Sequence, residues 1–118
     1  MEVTIVALAL LVLAAALAGV GVAGLAGRLP RNRVVGMRVE ALRGSDEAWR
    51  AGHRASGVAL ILAAIPPAVV GVAMLIEPPT AVGDWMLVYA VAGVITGGLI
   101  ALASRQADRA ARAVGGDA

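Results

Sequence analysis

Residues 28–56 decide the fold, and they read RLPRNRVVGMRVEALRGSDEAWRAGHRAS. Seven of the ten arginines lie in this stretch, and the chain contains no lysine. On either side the sequence turns into long runs of Ala, Val, Leu, Ile and Gly, which a water-soluble domain of 118 residues would not carry. The pattern therefore predicts a polar loop between two membrane-spanning helices.

The composition supports the same class of protein. Hydrophobic residues make up 60% of the 118 residues and charged residues only 15%. A helix needs roughly 20 apolar residues to cross a hydrocarbon layer about 30 Å thick, so the chain has room for about three spans and no separate catalytic domain. Cysteine is absent, which excludes disulfides, thiolate catalysis and cysteine-ligated metals.

The apolar runs predict one all-α membrane domain over residues 1–118. We expect an integral membrane protein with three transmembrane helices, at about residues 3–27, 57–76 and 85–103. A structured, Arg-rich loop over residues 28–56 joins the first two helices, and a tail over residues 104–118 continues the third helix as it leaves the membrane. The alternative for residues 3–27 is a cleaved signal sequence, but the apolar run is longer than a signal core and no basic residue precedes it.

The arginine distribution predicts the orientation of the spans. Short cytoplasmic loops carry the excess of positive residues. The loop over residues 28–56 has seven arginines, the tail has three, and residues 77–84 between the second and third spans have none. With three spans, this count predicts that the N-terminus lies outside and that both the loop and the C-terminus lie in the cytoplasm.

Small residues recur at every fourth position in the first and third spans, and such ridges let membrane helices approach each other closely. The positions are Ala15, Gly19, Ala23 and Gly27 in the first span and Gly93, Gly97 and Ala101 in the third. Two interpretations stay open: the ridges make the contacts of a compact bundle or a homodimer, or they arise by chance in helices rich in Ala and Gly.

Pro66 and Pro67 lie at the middle of the second span. Proline lacks an amide hydrogen, so the carbonyls of Leu62 and Ala63 lose their helical partners. Thr96 lies at about the matching depth of the third span, where its hydroxyl could satisfy a freed carbonyl. The alternative is a hydrogen bond from Thr96 to its own helix one turn back.

The helix ends are also encoded in the sequence. Ser45, followed by Asp46 and Glu47, is typical of a helix N-terminus with an N-cap and two acidic residues in the first turn. The prolines at positions 78 and 79 predict the end of this helix. Asp84 is the predicted N-cap of the third span.

Within the loop, the sequence predicts a folded arrangement centred on a helix that runs from Ser45 into the second span. This helix places Trp49 and His53 on one face and Asp46 four residues before Arg50, in ion-pair spacing. We expect Trp49 to cover the apolar residues 34, 35 and 37. Asn32 should bond backbone of its own turn.

Arg38 is the loop residue for which the sequence predicts the most specific contacts. Its planar guanidinium can bind carboxylates in a bidentate manner. We therefore expect it to reach Asp46, Glu47, or carbonyl groups at the C-terminal end of the first span. Arg43, in contrast, is expected to lie in an exposed turn.

An acid/base or metal site could be built from Asp46, Glu47 and His53. The sequence offers no second histidine and no H-E-x-x-H arrangement to complete a site. We therefore predict no enzyme activity, no catalytic residue, no metal and no cofactor. Nucleic-acid binding is not expected, because lipid phosphates are the nearer anions for a loop flanked by membrane helices. An efflux pump would need a carboxylate within the membrane, and the predicted spans contain none.

The loop resembles the signature of the SdpI family of bacterial membrane proteins. The pattern is Pro-Arg-Asn, then Gly-x-Arg, then Ser-x-x-x-Trp and a His that leads into an apolar helix. The matching residues are Pro30, Arg31, Asn32, Gly36, Arg38, Ser45, Trp49, Arg50 and His53. The chain departs from the pattern at Val39 and Glu40, where many relatives have Thr-Pro.

The resemblance implies a multi-pass protein of the bacterial cell membrane. The best-understood member resembles an immunity factor that protects its producer from a secreted toxic peptide and holds a transcriptional repressor at the membrane. Toxin-peptide immunity or membrane signalling is therefore the first expected function, with the matched residues as its binding or structural motif. The alternative is an accessory or lipid-contacting subunit of a larger membrane complex.

The expected partners follow from these two functions. The lipid bilayer is common to both of them. Immunity or signalling adds a cytoplasmic regulator or an extracellular peptide, whereas a subunit role adds a larger membrane complex or a second copy of the chain.

Overall fold

The computed structural model describes residues 1–32 and 35–116, with the side chains of 115 and 116 left out. Three long helices dominate it: α1 (Glu2–Leu25), α2 (Asp46–Ile76) and α3 (Met86–Ala111). Two 3₁₀ turns, Glu40–Gly44 and Val82–Trp85, precede α2 and α3, and a π turn, Arg112–Gly116, follows α3. No strand occurs in the described residues. The predicted all-helical fold is confirmed.

Three helical segments are long and apolar enough to cross a membrane, namely Glu2–Leu25, Asp46–Ile76 and Val82–Val114. The predicted spans at 3–27, 57–76 and 85–103 lie within or almost within these segments. α2 is longer than its predicted span because its first eleven residues carry the polar part of the loop. The chain is therefore a multi-pass membrane protein by length and composition.

α2 is the central helix of the bundle. Both α1 and α3 pack along it, whereas in the described residues no Cα atom of α3 lies within 8 Å of a Cα atom of α1. The two outer helices therefore leave a cleft between them, and α2 forms the floor of that cleft.

Small residues bring α1 against α2. The buried residues of α1 are Ala7, Ala14, Gly21 and Gly24. A methyl group added to Gly21 would lie 2.7 Å from the carbonyl oxygen of Gly57, and one added to Gly24 would lie 2.7 Å from that of His53. Glycine is needed at both positions because the two backbones are in direct contact.

Most residues of the predicted four-residue ridges lie away from the contacts between the helices, although Ala23 and Gly27 are partly buried. Ala15, Gly19, Gly93, Gly97 and Ala101 are all exposed. On α1 the buried residues Ala7, Ala14 and Gly21 are spaced seven apart. Residues spaced four apart do not stay on the same face of the helix as residues spaced seven apart. On α3 the buried residues are Thr96, Ala103, Ala107 and Ala111. Ala101 lies two residues from Ala103, which puts Ala101 on the opposite face at 3.6 residues per turn.

Thr96 satisfies the backbone carbonyl that Pro67 leaves without a helical partner. Its Oγ1 donates a buried hydrogen bond to the carbonyl oxygen of Ala63 at 2.9 Å. α2 continues through both prolines from Asp46 to Ile76. Of the two alternatives that the sequence left open for Thr96, the structure shows the bond between spans, which ties α3 to α2 at the middle of the bundle.

The ends of α2 lie where the sequence predicts them. The Oγ of Ser45 accepts a hydrogen bond from the amide of Ala48 at 3.0 Å, and the helix ends at Ile76, before the two prolines. The prediction for Asp84 is wrong, because its Oδ2 accepts from the amide of Ala81 at 3.0 Å. Asp84 therefore closes the 3₁₀ turn, and α3 begins two residues later.

The tail continues α3, as expected. α3 extends eight residues beyond the predicted span to Ala111, and Arg112 pairs with Asp108 at 3.0 Å. Residues 117 and 118 of the predicted tail lie outside the described residues.

Candidate functional site

Trp49 and His53 lie at the centre of a packed cluster between α2 and the connecting segment, which we define as residues 28–45. Trp49 is 1% exposed and His53 is 0% exposed. Their ring centroids are 4.3 Å apart with an interplanar angle of 44°. The two rings stand one helical turn apart on one face of α2, as the sequence predicts.

His53 hydrogen-bonds through both ring nitrogens. Its Nε2 accepts from the backbone amide of Met37 at 2.9 Å, and its Nδ1 lies 2.8 Å from the carbonyl oxygen of Trp49. An amide can only donate and a carbonyl can only accept, so the proton must lie on Nδ1. The arrangement therefore requires the neutral imidazole, and its role here is to hold the backbone of Met37.

Trp49 holds the other end of the connecting segment. Its Nε1 donates to the carbonyl oxygen of Leu29 at 3.0 Å. Leu29 and Met37 are thus both tied to one face of α2 by aromatic side chains spaced four residues apart. This pair of bonds fixes the path of the segment across the helix.

Ser56 continues the same face of α2. Its Oγ donates to the carbonyl oxygen of Gly52 at 2.8 Å and lies 3.2 Å from the Sδ atom of Met37. Ser56 is fully buried. The sequence analysis did not select it, although its spacing of three from His53 and seven from Trp49 places it on their face.

Gly36 fits the cluster only as glycine. Its φ is +116°, a region that residues with a Cβ rarely adopt. An added methyl group would also lie 2.8 Å from Cζ2 of Trp49 and 2.9 Å from Nε2 of His53. The backbone of Gly36 therefore packs directly on both rings.

Arg38 binds the backbone of its own segment. Its Nη1 donates to the carbonyl of Asn32 at 3.2 Å, its Nη2 to that of Val35 at 3.1 Å and its Nε to that of Gly36 at 3.5 Å. Its Cζ atom lies 5.4 Å from the centroid of the Trp49 ring, within the range of a cation–π contact.

The predicted targets of Arg38 are therefore wrong. We expected carboxylates at positions 46 and 47 or carbonyls at the end of α1. The segment instead curls around the guanidinium, so that the nearest acceptors are three carbonyls of the segment itself.

Asn32 bonds its own turn, as expected. Its Nδ2 donates to the carbonyl of Pro30 at 2.7 Å, and its Oδ1 accepts from the amide of Val35 at 2.6 Å. The expected pair of Asp46 with Arg50 is replaced by a contact between Asp46 and Arg31 at 3.5 Å. Arg31 is brought to this position because Leu29 is anchored to Trp49.

The apolar residues of the segment divide into two groups. Met37 is buried in the cluster with Trp49, as predicted. Val35 is 47% exposed, so Trp49 does not cover it. Val34 lies outside the described residues. Leu42, which the sequence analysis did not select, is fully buried and leaves no room for a side chain at Gly52.

Three arginines of the segment line an open polar cavity of about 510 Å³. Its lining consists of Arg31, Asn32, Arg38, Arg43 and Trp49. A smaller cavity of about 270 Å³ shares Arg31 and Trp49 with it and is also lined by Asp46 and Arg50. Guanidinium groups around a cavity favour an anionic ligand such as a phosphate or a carboxylate.

The described residues of this cluster do not form a set of metal ligands. Within residues 1–32 and 35–116, no three His, Asp or Glu side chains lie close enough together to hold a metal ion. Both nitrogens of His53 are already engaged.

A family model described as the SdpI/YfhL protein family matches residues 28–104. The match begins with the connecting segment and includes all of α2 and most of α3. Comparison with curated proteins and with solved structures gave no match.

Proposed function

Since the chain belongs to the SdpI/YfhL protein family, we propose that it acts in toxin-peptide immunity or membrane signalling. In this proposal the connecting segment lies on the cytoplasmic side of a bacterial membrane and is the part that recognises a regulator. The observation that carries the proposal is the set of hydrogen bonds by which Trp49 and His53 hold the segment at Leu29 and Met37.

A fixed segment supports recognition better than simple adhesion to the membrane surface. Attraction to anionic lipid needs only basic residues, each contributing about 1 kcal/mol near the surface. Such a tether would need neither Gly36 at positive φ nor two buried rings. The segment and the first turns of α2 also expose charges of both signs, at Glu40, Arg43 and Glu47. A protein regulator can read such a pattern, because charge complementarity provides specificity.

The proposed orientation can be tested by cysteine labelling, because the chain has no native cysteine. Single cysteines replace the exposed residues Arg43, Thr80 and Ala113. An impermeant thiol reagent applied to intact cells should label only the Thr80→Cys variant. The other two variants should react only after the cells are opened. Labelling of Arg43→Cys or Ala113→Cys in intact cells would contradict the cytoplasmic placement.

The proposed activity can be tested by deleting the gene from the bacterium that carries it. The deletion strain should lose viability when it meets the secreted peptide fraction of its own strain, and the intact gene should restore viability. A plasmid carrying Gly36→Val, which disrupts the segment, should fail to restore it. Equal survival of the deletion and parent strains in that fraction, with unchanged transcription after exposure, would refute both immunity and signalling.

A second candidate function is supported by the exposed ridge on α3. Methyl groups added to Gly93 or Gly97 would meet no atom of another element within 4 Å. Small residues on an outward face allow close packing with another membrane protein. An accessory-subunit role would be favoured if the chain left native membranes in a stable stoichiometric complex, whereas a monomer or homodimer favours the first function.

A further inference from the structure

The cleft between α1 and α3 is an apolar cavity of about 590 Å³, with one cationic side chain at its polar end. Leu13, Leu17 and Val20 of α1 form one wall, Ile100 of α3 forms the other, and Leu60 of α2 lies between them. Residues 35–39 of the connecting segment close one end. A cavity of this volume is within the range of small-molecule sites.

The cleft continues towards the middle of the bundle. A second apolar cavity, of about 190 Å³, shares Leu13 with the first and extends to Val6 on α1 and Tyr89 on α3. From Val6 to Val20 the rise of α1 is about 21 Å at 1.5 Å per residue. One leaflet is about 15 Å deep, half of a hydrocarbon core of about 30 Å. The cleft is therefore long enough for one extended acyl chain.

Arg38 joins this apolar cleft to the arginine-lined cavity, because it lines both. Three of the five N–H groups of its guanidinium bond carbonyls of the segment, which leaves two for a ligand. Arg31 and Arg43 line the same polar cavity, and no acidic side chain is among its described lining residues. An elongated apolar site that opens beside three guanidinium groups is complementary to an anion with a hydrocarbon tail.

We infer that this cleft binds one anionic phospholipid of the cytoplasmic leaflet, with an acyl chain between α1 and α3 and its phosphate at Arg38. The leaflet assignment rests on the cytoplasmic placement of the connecting segment proposed above. A transmembrane helix is a poorer occupant, because Leu13, Leu17 and Val20 project from the wall where close helix packing requires small residues. Both kinds of headgroup present a phosphate to Arg38, but the positive choline of a zwitterionic lipid is repelled by the three guanidinium groups, which favours an anionic headgroup.

The test is native mass spectrometry of the purified full-length chain in detergent, with equal amounts of phosphatidylglycerol and phosphatidylcholine added. The chain should retain one phosphatidylglycerol molecule and should prefer it to phosphatidylcholine by about tenfold or more, because the three arginines attract an anionic headgroup. Glycerol phosphate, which lacks a tail, should not displace the lipid. Equal retention of the two lipids, or displacement by glycerol phosphate, would overturn the inference.

A matched pair of variants locates the acyl chain. Ala15 and Ala16 are both exposed, but only Ala16 lines the cleft. Ala16→Trp should reduce phosphatidylglycerol retention by about tenfold through overpacking, while Ala15→Trp should leave it unchanged. Similar retention by both variants, or by Ala16→Trp and the parent, would refute the site.

Two further controls separate this inference from the proposed function. Circular dichroism tests whether Ala16→Trp keeps the helical content of the parent. If this variant does not fold, the inference is decided by the comparison of the two lipids on the unmodified chain. A second copy of the chain in the cleft would appear as a dimer without bound lipid, which also overturns the inference. Lipid retention in detergent does not depend on immunity, so failure in the survival assay leaves this result unaffected.

Discussion

Replacing Gly36 with alanine is expected to lower the free energy of unfolding by about 2–6 kcal/mol, the sum of backbone strain and overpacking. The strain arises because φ is +116° at this position. The overpacking arises because the methyl group would meet Trp49 at 2.8 Å and His53 at 2.9 Å. Both rings are buried, so neither can move away without breaking its hydrogen bond to the segment. Thermal or denaturant unfolding in detergent measures the loss.

Gly44 supplies the matched control for Gly36. It lies in the same segment, and a methyl group added there would meet no atom of another element within 4 Å. Gly44→Ala should therefore change the stability by no more than about 0.5 kcal/mol. If the two alanine variants unfold alike, the segment does not pack on Trp49 and His53 as described, and the recognition proposal loses its main support.

The features that the sequence predicted correctly follow from local rules. The N-cap at Ser45 and the shared face of Trp49 and His53 follow from short spacings along one helix. The bond from Thr96 to Ala63 was one of two alternatives that the sequence left open, and it was raised by a proline at position 67 and by matching depth in the membrane. The first two inferences need only the spacing of residues within one helix. The third also needs the depth of Thr96 in the membrane to be compared with that of the prolines.

The features that the sequence analysis missed depend on the path of the chain in three dimensions. Arg38 has several acceptors within reach, and the curl of the segment decides that it meets the carbonyls of residues 32, 35 and 36. Leu42 fills the space above Gly52 for the same reason. Periodicity shows where small residues recur, but it does not show which face of α1 will meet α2.

His53→Phe is expected to cost about 1–3 kcal/mol of stability, the usual penalty for a buried donor left without an acceptor. Phenylalanine keeps an aromatic ring beside Trp49 but removes Nε2, to which the amide of Met37 donates at 2.9 Å. The variant should also loosen the segment locally at Met37, because the bond to Nε2 is the one that ties the Met37 amide to the imidazole. Hydrogen exchange at the Met37 amide should accelerate by about 5- to 150-fold, the same free energy expressed as a ratio.

Two companion variants make the His53 prediction specific to the hydrogen bond. His53→Gln keeps an acceptor near the position of Nε2 and should recover part of the protection at Met37. Arg54→Gln alters the neighbouring exposed residue and should change stability by no more than about 0.5 kcal/mol. If the Met37 amide exchanges at the same rate in the Phe and Gln variants, the ring of His53 contributes packing alone. The connecting segment would then be held mainly by the bond from Trp49 to Leu29, and its fixed shape near Arg38 would need another cause.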